Sequence, residues 1–159
     1  MIKLTEDYSI KLFDENDDED KIFALVKAFI SESPYAGMEV ADDILKDVVS
    51  GYLDCDPKEK MAVILLKGEE PIGLLAAIAS EGAHPFIKGK IAAELMWYVS
   101  PEHRGSKLAP KLLEAFQEWA KVIGASYLSL SSLDDERLDK LYKKMGYEPV
   151  EKSYLKWLH

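Results

Sequence analysis

The chain has 159 residues, 48% of them hydrophobic, one cysteine, and a formal net charge of −9 at pH 7. Length and apolar content predict one domain over residues 1–159 with one substantial core. The charge argues against a non-specific nucleic-acid binder, which needs a basic footprint. No apolar run reaches the ~18 residues of a membrane span, and the lone Cys55 excludes an internal disulfide and offers no metal cluster. The N-terminus lacks an apolar signal core and turns acidic early, so a cytoplasmic protein is expected. The acidity permits a cationic partner such as an amine, and serves solubility equally well.

In chain order, Tyr8–Phe13 alternates and reads as a strand. The acidic run Asp14–Asp20 supplies a solvated turn and the negative first turn of a helix. Ile22, Phe23, Val26, Phe29 and Ile30 follow at helical spacing, and Ser31–Gly37 breaks that helix. A second helix is predicted over Val40–Tyr52, with Ile44, Val48 and Val49 on its buried side. Met61–Leu66 and Ile72–Ser80 are apolar runs around Lys67–Pro71, a hairpin pattern. Gly82–Gly89 is a loop, Ile91–Val99 a long strand, and Leu108–Ile123 a helix ending at Gly124. Tyr127–Leu130 is a short buried strand beside the previous one, Asp134–Met145 a helix closed by Gly146, and Tyr147–Leu158 a final strand with Val150, Tyr154 and Trp157. The order βααβββαβαβ predicts a mixed α/β fold, with a central, mostly antiparallel sheet carrying helices on both faces.

The segment Ala93–Leu113 carries the strongest functional signal. A strand runs into a short loop of small and basic residues, Arg104-Gly105-Ser106-Lys107-Leu108-Ala109, and then into an amphipathic helix. Helix N-termini present unpaired N–H groups and partial positive charge, and small residues admit a phosphate to the backbone. Arg104 and Lys107 add formal charge. The pattern points to a phosphate-bearing ligand; an ordinary strand–turn–helix with solvated basic residues is the alternative.

The same loop resembles motif A of the GNAT N-acetyltransferases, Arg/Gln-x-x-Gly-x-Gly/Ala. Arg104 matches its first position and Ala109 its last, while Lys107 stands where the middle Gly is usual. Leu141-Tyr142-Lys143-Lys144-Met145-Gly146-Tyr147 is similar to the family's helix-ending signature Phe/Leu-Tyr-x-Lys-x-Gly-Phe/Tyr. The likeness is detailed from about Lys60 to Leu158 and vaguer before it. It implies an acetyl-CoA-dependent acyltransferase of the GNAT fold without a metal, acting on a small-molecule or protein amine, with room for a homodimer. It also implies a bulge on the strand before the loop, which would let the backbone of Trp97, Tyr98 and Val99 pair with the pantetheine arm. A non-catalytic binding module of the same fold is the rival reading.

Transfer from a thioester to an amine needs a polarised carbonyl, a neutral amine and a proton for the departing thiolate. No activated Ser or Cys is required, and no Ser/His/Asp set is suggested by spacing. Tyr142 is the candidate acid by resemblance; a phenol is neutral at pH 7 and can donate, while packing beside Leu138, Leu141 and Met145 is the plainer role. Glu94 interrupts an apolar strand and is the candidate base, against a solvent-facing position. Strict alternation would group Glu94 with Met96 and Tyr98 on one face, and Leu95 with Trp97 and Val99 on the other, unless a bulge intervenes. Asp135 stands where many relatives carry a cofactor-contacting Asn, and helix capping by Asp134 or Asp135 suits a carboxylate better. Resemblance places the loop with Tyr35 over the acceptor pocket.

Overall fold

The structure, a computed structural model, describes residues 1–37, 41–82, 86–105, 107–133, 135–156 and 158. Among the described residues six strands form one sheet in sequential order: β1 (Ile2–Lys3), β2 (Tyr8–Leu12), β3 (Lys60–Lys67), β4 (Glu70–Glu81), β5 (Lys90–Val99) and β6 (Tyr127–Ser129). Neighbours from β1 to β5 are antiparallel; β5 and β6 are parallel. The β3–β4 hairpin and the long β5 fall where the apolar runs predict them, because β-branched and apolar residues there fill both faces of the sheet.

Among the described residues four α-helices cover the two faces. On one side lie α1 (Glu19–Glu32) and α2 (Asp42–Ser50), over Ile64, Leu66, Leu74, Ala76 and Tyr98. On the other lie α3 (Ala109–Val122) and α4 (Glu136–Lys144), with Leu112, Leu113 and Phe116 packed on Val63, Leu65 and Leu75. The acidic run works as predicted at α1, where the Asp18 carboxylate caps the amides of Asp20 and Lys21. Gly124 and Gly146 follow the ends of α3 and α4 with positive φ.

The structure departs from the sequence reading in several places. Tyr147–Leu158 is not a strand: described residues 148–156 and 158 carry no regular structure and are exposed. Its composition suits a strand, but a strand exists only where an edge pairs with it, and none does here among the described residues. Trp157 lies outside them. In α2, Val49 is buried, whereas Ile44 and Val48 are 60% and 50% exposed. A helix this short turns a narrow stripe inward, and Val49 with Leu45 forms it. The helix begins at Asp42, and Val40 lies outside the described residues. α1 runs on to Glu32, with Ser33 as its C-cap. The two-residue β1 has no counterpart in the sequence reading.

Candidate active site

Strand β5 organises the site. Its register against β4 slips by one residue: Met96 faces Ala76 and Glu94 faces Ala77, which leaves Leu95 as the extra residue of a bulge. The slip is the bulge on this strand that the resemblance implies, and it replaces strict alternation. Met96 and Tyr98 pack toward α1 and α2, whereas Ala92, Trp97 and Val99 belong to the side of α3 and α4. Glu94 changes sides and comes to lie with Trp97, not with Met96 and Tyr98. Leu95 is correspondingly 53% exposed.

The same region is where β5 and β6 part. Their parallel pairing covers Ile91–Ala93 with Tyr127–Ser129 and stops there. Beyond it Trp97, Tyr98 and Val99 pair with β4 alone among the described residues. A wedge between two diverging strands leaves backbone groups able to bond an extended ligand as another strand would. Trp97 adds a buried indole N–H without a hydrogen-bond partner among the described residues. A buried orphan donor is costly, which makes it a ready contact for a polar ligand group.

Glu94 and Tyr142 meet at Ser131, just past the end of β6. The Ser131 amide donates to Glu94 Oε2 at 3.2 Å. The Tyr142 hydroxyl donates to the Ser131 carbonyl at 2.9 Å. Tyr142 is buried on α4, with its ring 6.1 Å from Trp97 and 5.9 Å from Tyr147. Burial pushes the Glu94 carboxyl up to about 7, partly offset by the Ser131 amide. Burial, and secondarily the charge of Glu94, pushes the Tyr142 phenol above its ordinary value. A carboxyl that titrates near neutrality can take up and release a proton at working pH, and a phenol held neutral keeps a proton to donate.

The loop after β5 is built from a 3-10 turn, Pro101–His103, followed by Arg104 and Gly105. Gly105 adopts φ 75°, a conformation that L side chains avoid, and it lets the chain reverse into α3. Ser106 lies outside the described residues. Leu108 is the N-cap of α3, without a side-chain capping bond, and Ala109 opens the first turn. A helix N-terminus presents partial positive charge to an anion, as a phosphate site requires. Lys107, in place of the usual glycine, lines with Lys111 a cleft of about 360 Å³ floored by Leu4, Thr5, Tyr8 and Leu108.

Arg104 does something the sequence did not suggest. Its Nε donates to the Val99 carbonyl at 2.6 Å, and its Nη2 pairs with Glu32 Oε2 at 2.7 Å. Its guanidinium also lies 5.2 Å from the centre of the Tyr98 ring. Asp135 caps α4 by accepting from the Arg137 amide at 2.7 Å. Tyr35 is exposed in the loop after α1. His103 Nδ1 lies 3.5 Å from the Tyr8 hydroxyl, and His84, Asp134 and His159 fall outside the described residues. Cys55 is half-buried, and burial raises its thiol, which suits an inert side chain. Among the described residues no cluster of His, Cys, Asp or Glu could hold a metal ion, and no helix is long and apolar enough to cross a membrane.

Sequence reasoning did not single out Ser131 or Glu32. Ser131 acts through its main chain, which leaves no mark on the sequence. Glu32 carried a signal: a carboxylate in the last turn of a helix opposes the macrodipole and calls for a cation nearby.

Residues 12–147 match the model of the acetyltransferase (GNAT) family. None of the curated proteins matches the chain. Among solved structures, the aminoglycoside N-acetyltransferase AAC(6′)-Iy in complex with CoA superposes with a TM-score of 0.77 at 16% identity, covering 99% of this chain and 98% of that one. An acetyltransferase of Trypanosoma brucei gives 0.70 at 14% identity, over 96% of this chain and all of the other. A GNAT family acetyltransferase of Staphylococcus aureus gives 0.68 at 18% identity, over 96% and 99%. At these identities the likeness concerns the fold. The family match spans most of the sequence, both motifs included, and the chain belongs to the GNAT family of acetyltransferases.

Proposed function

We propose that this chain, one domain over residues 1–159, transfers an acetyl group from acetyl-CoA to a primary amine by direct attack, in the cytoplasm. The observation that carries the proposal is the convergence of Glu94 and Tyr142 on Ser131, beside the wedge between β5 and β6. Acetyl-CoA supplies an acetyl group activated as a thioester. The wedge, with the backbone of Trp97, Tyr98 and Val99 and the orphan Trp97 N–H, suits an extended amide-bearing arm. The loop Arg104–Ala109 and the first turn of α3 suit its pyrophosphate. Backbone donors of β5 would polarise the carbonyl.

Glu94 removes a proton from the incoming amine, directly or through water. Tyr142 donates a hydrogen bond to sulfur as negative charge develops there. A thiol with a pKa of ~8.5 is a stronger acid than a phenol of ~10. Full transfer from Tyr142 is therefore uphill, and its contribution lies in stabilising the thiolate until the protonated nitrogen of the attacking amine, released as the C–S bond breaks, resupplies the proton and leaves the neutral amide. The acceptor reading is a cationic small-molecule amine. It is supported by the net charge of −9 and by similarity to aminoglycoside acetyltransferases. A protein amine is the other acceptor class.

The test is a panel of aminoglycosides, polyamines and lysine peptides incubated with acetyl-CoA, with release of free thiol as the readout. Turnover with at least one amine is expected. No turnover, together with no heat of acetyl-CoA or CoA binding in calorimetry, would return the chain to a non-catalytic module of the same fold.

A further inference from the structure

Helix α1 ends on Glu32 and has no basic residue in its last turn. A carboxylate there faces the negative end of the helix dipole, an unfavourable place unless a cation compensates. The compensating cation comes from the opposite side of the site, the first residue of the phosphate-type loop. Arg104 Nη2 lies 2.7 Å from Glu32 Oε2, and the Tyr98 hydroxyl donates to Glu32 Oε1 at 2.9 Å. One carboxylate thus bridges β5 and the loop that follows it. Arg104 completes the brace through the Val99 carbonyl and the Tyr98 ring.

We propose that Glu32 is a positioning residue for the cofactor loop, and that Arg104 serves the loop by clamping it to protein instead of by contacting phosphate. The proposal rests on the reading of this loop as the pyrophosphate site. With Nε on Val99 and Nη2 on Glu32, the guanidinium fixes the direction in which Gly105–Ala109 leave β5. Anion binding by backbone amides depends on holding those amides in place beforehand. The same carboxylate terminates α1 directly before Ser33–Gly37, so the loop with Tyr35 and the cofactor loop are anchored at one point. Topology sets Glu32 apart from the proton-handling pair. Tyr98 packs toward α1 and α2, while Glu94 and Tyr142 lie on the opposite side of the sheet.

The experiment compares Glu32→Gln, Arg104→Gln and the double variant. The amide of Glu32→Gln keeps the shape and removes the charge. It should raise KM for acetyl-CoA about fivefold, the upper range for a part-exposed ion pair, with kcat changed less than about twofold. The double variant should be no worse than Arg104→Gln alone, since the two residues act through one contact. In the ligand-free protein, amide hydrogen exchange should quicken together over 33–37 and 104–109 in Glu32→Gln. Unchanged KM and unchanged exchange in Glu32→Gln, or effects that add in the double variant, would overturn the proposal. If the wild-type protein neither binds nor turns over acetyl-CoA, the functional reading falls. Exchange at the two segments then decides the positioning role alone.

Discussion

Tyr142 and Glu94 reach the same main-chain unit from opposite directions, one at the carbonyl of Ser131 and one at its amide. This arrangement separates the two side chains experimentally. Tyr142→Phe keeps the ring and its packing on Trp97 and Tyr147 and removes the hydroxyl. Its kcat should fall about 10²-fold, the scale for losing one hydrogen bond to charge that develops in the transition state, with CoA affinity in calorimetry nearly unchanged. Wild-type turnover in this variant would leave Tyr142 a packing residue. Glu94 is distinguished by pH. Its carboxyl, raised to about 7, must be ionised to act as a base. A plot of log kcat/KM should therefore bend near pH 7, and Glu94→Gln should lower the neutral rates and abolish the bend. Rates of the variant should recover in part as pH approaches the amine's own pKa. Stability moves the other way. The unfolded chain holds this proton with the ordinary value of 4.5 and the folded chain with one near 7. Native protein thus binds the proton more tightly, and its stability is full below pH 4.5 and falls as pH rises to about 7. At ~1.4 kcal/mol per unit the deficit above that point is about 3 kcal/mol. Urea titrations should find Glu94→Gln more stable than wild type at pH 8 by up to that amount, and equal to it at pH 4.

At the scale of elements, β5 carries the decisive irregularity. The bulge at Leu95 transfers Glu94 from the side of α1 to the side of α4. Deleting Leu95 removes the extra residue and leaves Glu94 opposite Ala77 and Met96 opposite Ala76, so Glu94 keeps its side while the bend that the bulge gives β5 is lost. KM for acetyl-CoA should rise, while far-UV circular dichroism stays native. An unchanged KM would mean that the ligand wedge does not depend on the bulge. This strand also shows what was readable in the sequence. Its existence, the hairpin before it and the loop and helix after it follow from local period and turn chemistry, so the candidate site could be assigned to the right elements. The bulge is a property of two strands in register, and β5 taken alone offers two faces for Glu94 without choosing between them. The tail after Tyr147 failed for a related reason: apolar residues at strand spacing state a propensity, and pairing is decided elsewhere in the chain. In α2, four apolar positions in nine residues allow more than one inward stripe, and packing against α1 selects Leu45 and Val49. The pairing of Glu32 with Arg104 joins residues far apart in sequence and was visible only as an unfavourable charge at a helix end.

For the molecule as a whole, the charge of −9 makes acceptor capture a question of ionic strength. If the surface field draws a cationic amine, KM for the acceptor should rise between low salt and 0.15 M, where exposed charges are screened beyond about 8 Å. A KM insensitive to salt would assign the acidity to solubility. The sheet meanwhile divides the interior into two apolar layers, and the helices are not equally held to them. α3 buries Leu112, Leu113, Phe116 and Ala120, whereas α2 buries Val49 alone and begins at Ala41 without a side-chain cap. Of the two helices on its side of the sheet, α2 is thus held less firmly than α1, which buries Ile22, Leu25 and Val26 behind an Asp18 cap, and local unfolding of α2 would leave the other layer intact. If the proposed transfer takes its amine from that side, a wall that loosens there beside a rigid opposite layer would fix one acyl donor in a firm mould and admit amines of different size through a compliant one.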